Sequence, residues 1–373
     1  MNQIEDLIIE ISNNKLNEVM RRGFALSGNN GPYYCKDTPI RNSAHWCVTY
    51  SYLYTKYYDS RYLEAVIILA NYLMEEQNNS YNNTVCCMRD AKFDSINGLI
   101  GQAWAIEGLI SAAKATGRRR YYECAKKIFL AQEFLEKTGL WKKIDTDGKN
   151  LGYDIAFNHQ LWFAAMGAMI CSVEDDLVIH FRVDCFMRKC HEHFRIHKDG
   201  LIRHFGDFEK MSIKKTIKKT ILFLTSSILF QKNPDRFGIN TYEASYQLFN
   251  LYGFALIRDL LGEYDFFSSK DFKSALMYGL NINKINRMVN AVPQSSRIGK
   301  FSYAYNSPAF EYPYVLKIFG NYIEDDKNIV NDLFEFQVTN FYSNSTKMFD
   351  KNTDDPETLT ARVYELARWI FNQ

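Results

Sequence analysis

Apolar positions recur at three- and four-residue intervals over most of the chain, and strict alternation is scarce. Glycine and Asn/Asp-rich turns separate these stretches. After an amphipathic first segment, a helix is predicted over about Asn42–Tyr58, then a second in SRYLEAVIILANYLMEEQ. The segment NGLIGQAWAIEGLISAAKATG is apolar on nearly every side, whereas RRRYYECAKKIFLAQEFLEKTG after it is polar on one face. YDIAFNHQLWFAAMGAMICSV and the charged DDLVIHFRVDCFMRKCHEHFRIH repeat the contrast, and two further pairs follow before a last helix, DPETLTARVYELARWIFNQ. The apolar helices are predicted to begin near Asn42, Asn97, Ile155, Tyr242, Ser307 and Glu357, at spacings of roughly 50 to 85 residues. A helix apolar all round must lie inside something, and a one-sided helix can cover it. Six such hairpins predict an all-α fold, an (α/α)6 toroid, with the last inner helix meeting the N-terminal helix to close the ring. An α-solenoid would show a steadier repeat length.

One segment breaks the rhythm. A Lys-rich insertion at about 208–236 holds Lys214, Lys215, Lys218 and Lys219 ahead of ILFLTSSILF, a run too short to span a bilayer. It reads first as an insertion folded back on the toroid with solvated lysines. The other reading gives the 210–231 stretch a peripheral contact with an anionic membrane surface or a partner. The remainder is expected to form one domain over 1–373.

Composition narrows the function classes. The 373 residues are 47% hydrophobic and 15% aromatic, with 25 Tyr and 27 Phe, enough for a thick core or a sugar-stacking groove. A net charge of +2 argues against a nucleic-acid binder. Eight cysteines show neither zinc spacing nor a disulfide framework. The first residues lack a basic region, an apolar core and a cleavage site, so a cytoplasmic location is expected. His191 and His193 in the CHEH run point apart on a helix, so no metal site is expected there, and no cofactor is expected.

The candidate chemistry lies at the starts of the apolar helices, where free N–H groups and the positive dipole end suit carboxylates and anionic sugars. The first start offers Arg41, His45 and Trp46, with a salt bridge between Asp37 and Arg41 as the plain alternative. The second offers Asp94, Gln102, Trp104 and Glu107. The third offers Asp154, Asn158, His159 and Gln160 inside an apolar helix, where an unpaired polar group costs roughly 1–3 kcal/mol. Asp154 as a mere N-cap is the competing reading. The fourth offers Glu243 and Tyr246, the fifth Tyr305 and Glu311, and the sixth Arg362, Tyr364 and Glu365. This repeated recipe of acid, amide and aromatic describes a carbohydrate groove. Glycosidic chemistry needs two carboxyls across the bond, and Asp94 and Asp154 are the natural pair.

The stretches NGPY, DTPIRNSAHW, DSINGLIGQAWAIEGL, FNHQLWFAA, YNSPAFEYPYV and DPETLTARVYELAR resemble proteins of polysaccharide and glycan gene clusters, of the archaeal agl-cluster and VpsJ types. That resemblance spans nearly the whole chain outside the Lys-rich insertion and implies the six-hairpin glycosidase-like fold. A second resemblance, to unsaturated glucuronyl hydrolases, rests on Asp94 ahead of SINGL and on Asp154 four residues before Asn158. It implies paired aspartates acting on an unsaturated uronic ring; the histidine-rich motif around that family's first aspartate has no counterpart here. The expectation is therefore a glycoside hydrolase of surface polysaccharide or glycan metabolism, acting on an anionic, uronic sugar. Asp154 and Asp94 would be catalytic. Arg41, His45, Trp46, Gln102, Trp104, Asn158, His159, Glu243, Tyr246, Tyr305 and Glu311 would hold the substrate. The alternatives are a sugar epimerase or isomerase depending on His45, His159 or His204, and a non-catalytic glycan-binding component of an assembly machinery.

Overall fold

A computed structural model of the protein describes residues 2–90, 93–206, 239–281, 283–284, 299–322 and 328–371. The Lys-rich segment at 210–231 lies outside the described residues. The helices, in chain order, are α1 (Asn2–Arg22), α2 (Ile40–Tyr57), α3 (Ser60–Asn78), α4 (Gly98–Thr116), α5 (Arg119–Ala131), α6 (Phe157–Cys171) and α7 (Leu177–His193). They continue as α8 (Ile239–Ser245), α9 (Gln247–Leu261), α10 (Lys270–Gly279), α11 (Pro308–Phe319), α12 (Ile329–Phe341), α13 (Pro356–Ala361) and α14 (Tyr364–Phe371).

The apolar helices pack side by side in the cyclic order α2, α4, α6, α9, α11, α14 and back to α2. α3, α5, α7, α10 and α12 each pack against the inner helix that precedes them, and α1 packs on α14 and α3. This is the (α/α)6 toroid, closed by the first and last helices. Its cause is legible in the side chains: every residue of α4 from Gly98 to Ala113 is buried, while α5 buries one face only. Asp59, Asp176 and Ser269 cap the outer helices α3, α7 and α10, each accepting from an amide of its own first turn.

The chain departs from an all-helical reading after α5. The stretch QEFLEKTG, expected to extend that helix, leaves it at Gln132 and enters a three-stranded antiparallel sheet, β1 (Glu133–Leu135), β2 (Leu140–Ile144) and β3 (Asn150–Tyr153). Trp141 of β2 packs on Phe129 and Phe163, and the Gln132 amide bonds both the N–H and the C=O of Ile144. These contacts are made only once α5, α6 and the sheet meet, so helical periodicity in the sequence could not reveal them. A second short pair, β4 (Tyr342–Ser343) and β5 (Met348–Phe349), precedes the last inner hairpin. Two inner segments are also interrupted: one at Tyr246, the other at Arg362 and Val363.

Candidate active site

The starts of all six inner helices, with the loops ahead of them, enclose a cavity of about 300 Å³. Its carboxylates meet at the start of α4. Asn97 and Gly98 take left-handed backbone angles, with φ of 55° and 63°, and this turns the first amides of the helix toward the cavity. Asp94 Oδ1 accepts from Gly98 N at 2.6 Å, and Asp154 Oδ2 accepts from Leu99 N at 2.9 Å. A side chain at position 98 would collide with Asp154, because a Cβ there would lie 2.4 Å from Oδ2. The two carboxylates thus accept from adjacent amides and sit side by side at one helix end.

Each carboxylate has a second partner. Lys143 Nζ, on β2, lies 2.6 Å from Asp94 Oδ2. His159 Nδ1 lies 2.8 Å from Asp154 Oδ2. Burial alone would push the Asp154 carboxyl up. The charge and hydrogen bond of His159, the Lys143 charge and the Leu99 amide outweigh it and hold the group well below the usual carboxylate range. Asp154 is therefore ionised in the empty cavity. His204 sits nearby with its ring 5.1 Å from that of Tyr242 and 5.7 Å from that of Tyr246. Burial, and then the His159 charge, push its pKa down to about 3, so it is neutral at pH 7.

The facing wall is aromatic. The Tyr33 hydroxyl bonds those of Tyr242 and Tyr246, the latter at 2.9 Å. Burial pushes all three phenols well above their ordinary range and keeps them neutral. Arg41 reaches the cavity from the first turn of α2, with its guanidinium carbon 4.2 Å from the Trp104 ring centre. Arg362 lines the floor, bonded to Asn306 and Glu311 at 2.5 Å each and to Glu365 at 2.7 Å.

Of the residues expected from sequence, Asp94, Asp154, Arg41, Trp104, Asn158, His159, Tyr246 and Tyr305 line this cavity. Five others do not line it. Gln102 is fully buried and bonds Val85 through both N–H and C=O. Glu243 accepts from the His204 amide and pairs with His197 at 2.6 Å. Glu311 is spent on Arg362, and burial pushes its carboxyl well above the ordinary range despite that partner. Trp46 is core, stacked on Tyr50. His45 stacks on Tyr364 behind Trp104, and burial, then the charges of Arg41, Arg362 and Arg368, push its pKa well below the ordinary value. Lys143 and Tyr33 were missed. Lys143 stands in WKKIDTDGK, a charged stretch with no distinguishing pattern, and only the fold carries it to Asp94.

No protein-family model matches the sequence. The chain is 30% identical over 376 residues to archaeal glycosylation protein Q of Haloferax volcanii, an alignment covering 99% of this chain and 98% of that one. Among solved structures it is similar to the unsaturated glucuronyl hydrolase of Bacillus sp. GL1, with a TM-score of 0.60 and 12% identity, covering 98% of this chain and 95% of that one. It is also similar to a sugar epimerase from a ruminal bacterium, with a TM-score of 0.58 and 11% identity, covering 98% of both chains. At such identities the structural likeness concerns the fold. No helix among the described residues is long and apolar enough to cross a membrane.

Proposed function

This chain belongs to the family of archaeal glycosylation protein Q, and from that premise we propose that it is a carbohydrate-active enzyme of glycan metabolism that hydrolyses a glycosidic bond beside an anionic, uronic sugar. The observation that carries this reading is the carboxylate pair at the start of α4, inside a cavity with aromatic faces and cationic donors. Asp154, ionised in the resting cavity, takes the proton of the attacking water. His159, hydrogen-bonded to that carboxylate at 2.8 Å, passes a proton to the leaving oxygen, so the Asp154–His159 pair takes one proton from water and gives one to the leaving group. Asp94, with Lys143, orients the sugar and balances charge on the oxocarbenium-like transition state. Arg41 holds the carboxylate of the substrate. The aromatic wall of Tyr33, Tyr242 and Tyr246 offers faces for sugar rings, and we place the activity in the cytoplasm.

A second reading, sugar epimerisation, is favoured by two histidines in the same cavity. His159 is backed by a carboxylate, and His204 is neutral, as a base for C–H proton transfer must be. One experiment separates the two. Turnover of uronic-acid disaccharides is followed by NMR in D₂O for the wild type and for Asp154→Asn, Asp94→Asn and His204→Ala. Hydrolysis predicts cleavage without deuterium at carbon and a loss of about 10²–10⁴-fold in Asp154→Asn. Deuterium appearing at a sugar carbon, with His204→Ala the most damaged, would establish the epimerase. A glycan binder would hold the disaccharide unchanged in all four proteins.

A further inference from the structure

The loop ahead of α2 hides a carboxyl that the proposed reaction does not use. Asp37 is buried, and neither of its oxygens makes a hydrogen bond of good geometry, with only the Asn30 amide and the Arg41 guanidinium near enough to help it. The nearest cation is Arg41, whose Nη1 lies 3.8 Å from Asp37 Oδ2. Behind Asp37 stands a second carboxylate, Asp355, which accepts from the amides of Asn29 at 3.0 Å and Gly31 at 2.8 Å. Arg41 directs Nη1 to the Tyr305 hydroxyl at 2.8 Å and to Asn30 Oδ1 at 3.3 Å. Its Nε is buried with no partner, although the residue lines the cavity. Donor capacity is thus left over on a guanidinium whose nearest acid is poorly bonded.

We infer that the cavity takes up a substrate carboxylate on Arg41 together with one proton on Asp37, so that affinity for the anion falls as pH rises through neutrality. This rests on the anionic-sugar reading above. With Asp37 ionised, Arg41 is already compensated, and an incoming carboxylate meets a like charge across the guanidinium. With Asp37 protonated, Arg41 offers a whole charge and unpaired donors. Burial, opposed by Arg41 and reinforced by Asp355, pushes the Asp37 carboxyl up to about 7, which places the exchange in an accessible range. Besides Asp355, a thiol and a phenol face it, and both stay neutral there. Burial raises both the Cys87 thiol, ahead of α4, and the Tyr305 phenol, ahead of α11. Arg362, across from Arg41, adds positive charge that does not titrate. His159 lines the same cavity, so the decisive comparison is a variant of Asp37 itself.

The test is calorimetric binding of D-glucuronate, with D-glucose as the neutral control, between pH 6 and 8 in buffers of different ionisation heat. In the wild type the glucuronate Kd should weaken about tenfold from pH 6 to pH 8, with net proton uptake near pH 7. Asp37→Asn, an isosteric change, should flatten that dependence to within about twofold and abolish the uptake. The same slope and uptake in Asp37→Asn, or affinity that rises with pH, would overturn the coupling while leaving the anionic-sugar reading standing. Absence of glucuronate binding at every pH would sink both. Hydrolysis is judged separately, by the turnover of Asp154→Asn. The proton count on the unmodified protein tests the coupling independently of any variant.

Discussion

Asp37 has a consequence for stability as well as for binding. In the unfolded chain its carboxyl titrates near 4, whereas in the fold burial pushes it up to about 7. Between those values the unfolded chain gives up its proton and the folded one keeps it, so stability falls as pH rises from about 4 to 7 and then levels off. Asp37→Asn removes that loss. The variant should match the wild type near pH 4 and exceed it at pH 8 by up to about 4 kcal/mol, read as a rise in Tm at pH 8 only. A variant less stable than the wild type at pH 8 would contradict this. At this scale the sequence marked four acids for the site, of which two reach the cavity while Glu243 and Glu311 do not. Asp94 ahead of a glycine-opened helix and Asp154 four residues before an asparagine both line the cavity. It was a poor guide to Lys143, because a lysine in a charged strand looks alike whether it faces solvent or a carboxylate.

The amides at the inner-helix starts belong to the elements. Gln102 bonds the N–H and C=O of Val85, and Gln160 bonds those of Trp141. Gln247 takes the Ile202 amide and gives to the carbonyls of Gly200 and Ala275. Each glutamine therefore clasps backbone of the chain that precedes its own helix, and Gln247 reaches the following helix as well. The repeat of amides was visible in the sequence, and a sugar groove was one explanation of it. The structure gives these three a scaffolding role, since a primary amide carries both a donor and an acceptor and so satisfies both backbone groups of one residue. Gln160→Glu keeps the shape and loses the donor. It should cost about 2–4 kcal/mol in urea unfolding, by setting a carboxylate against the Trp141 and Asp154 carbonyls. A cost below about 1 kcal/mol would contradict the scaffolding role.

At the scale of the whole molecule, the toroid is closed by α14, which packs on α2 and α11; one buried arginine, Arg368, lies within it and another, Arg362, in the break just ahead of it. Arg368 pairs with Glu107 of α4 at 2.6 Å, and Arg362 bridges Glu311 of α11 and Glu365. These pairs tie the last inner helix to elements far away in sequence. Removing one partner strands a buried charge, so Arg368→Met should lower stability by about 3–5 kcal/mol. The double change with Glu107→Leu should recover much of that in the same denaturant titration, and failure to recover would show that the arginine acts mainly through packing.

The sequence by itself determined the class of the fold and the end at which chemistry gathers. Periodicity reports burial residue by residue, and six segments buried all round have few other ways to be covered. It also marked which polar residues sit at the helix starts. Only the tertiary structure decided which of them face a common space. Glu107, Glu311 and Gln102 are polar positions of inner helices just as Asn158 and His159 are, yet the first two meet arginines from α14 and the linker ahead of it, and the third meets the loop backbone at Val85. A partner hundreds of residues away leaves no periodic trace, and it is the partner that separates a buried structural charge from one left open to a ligand.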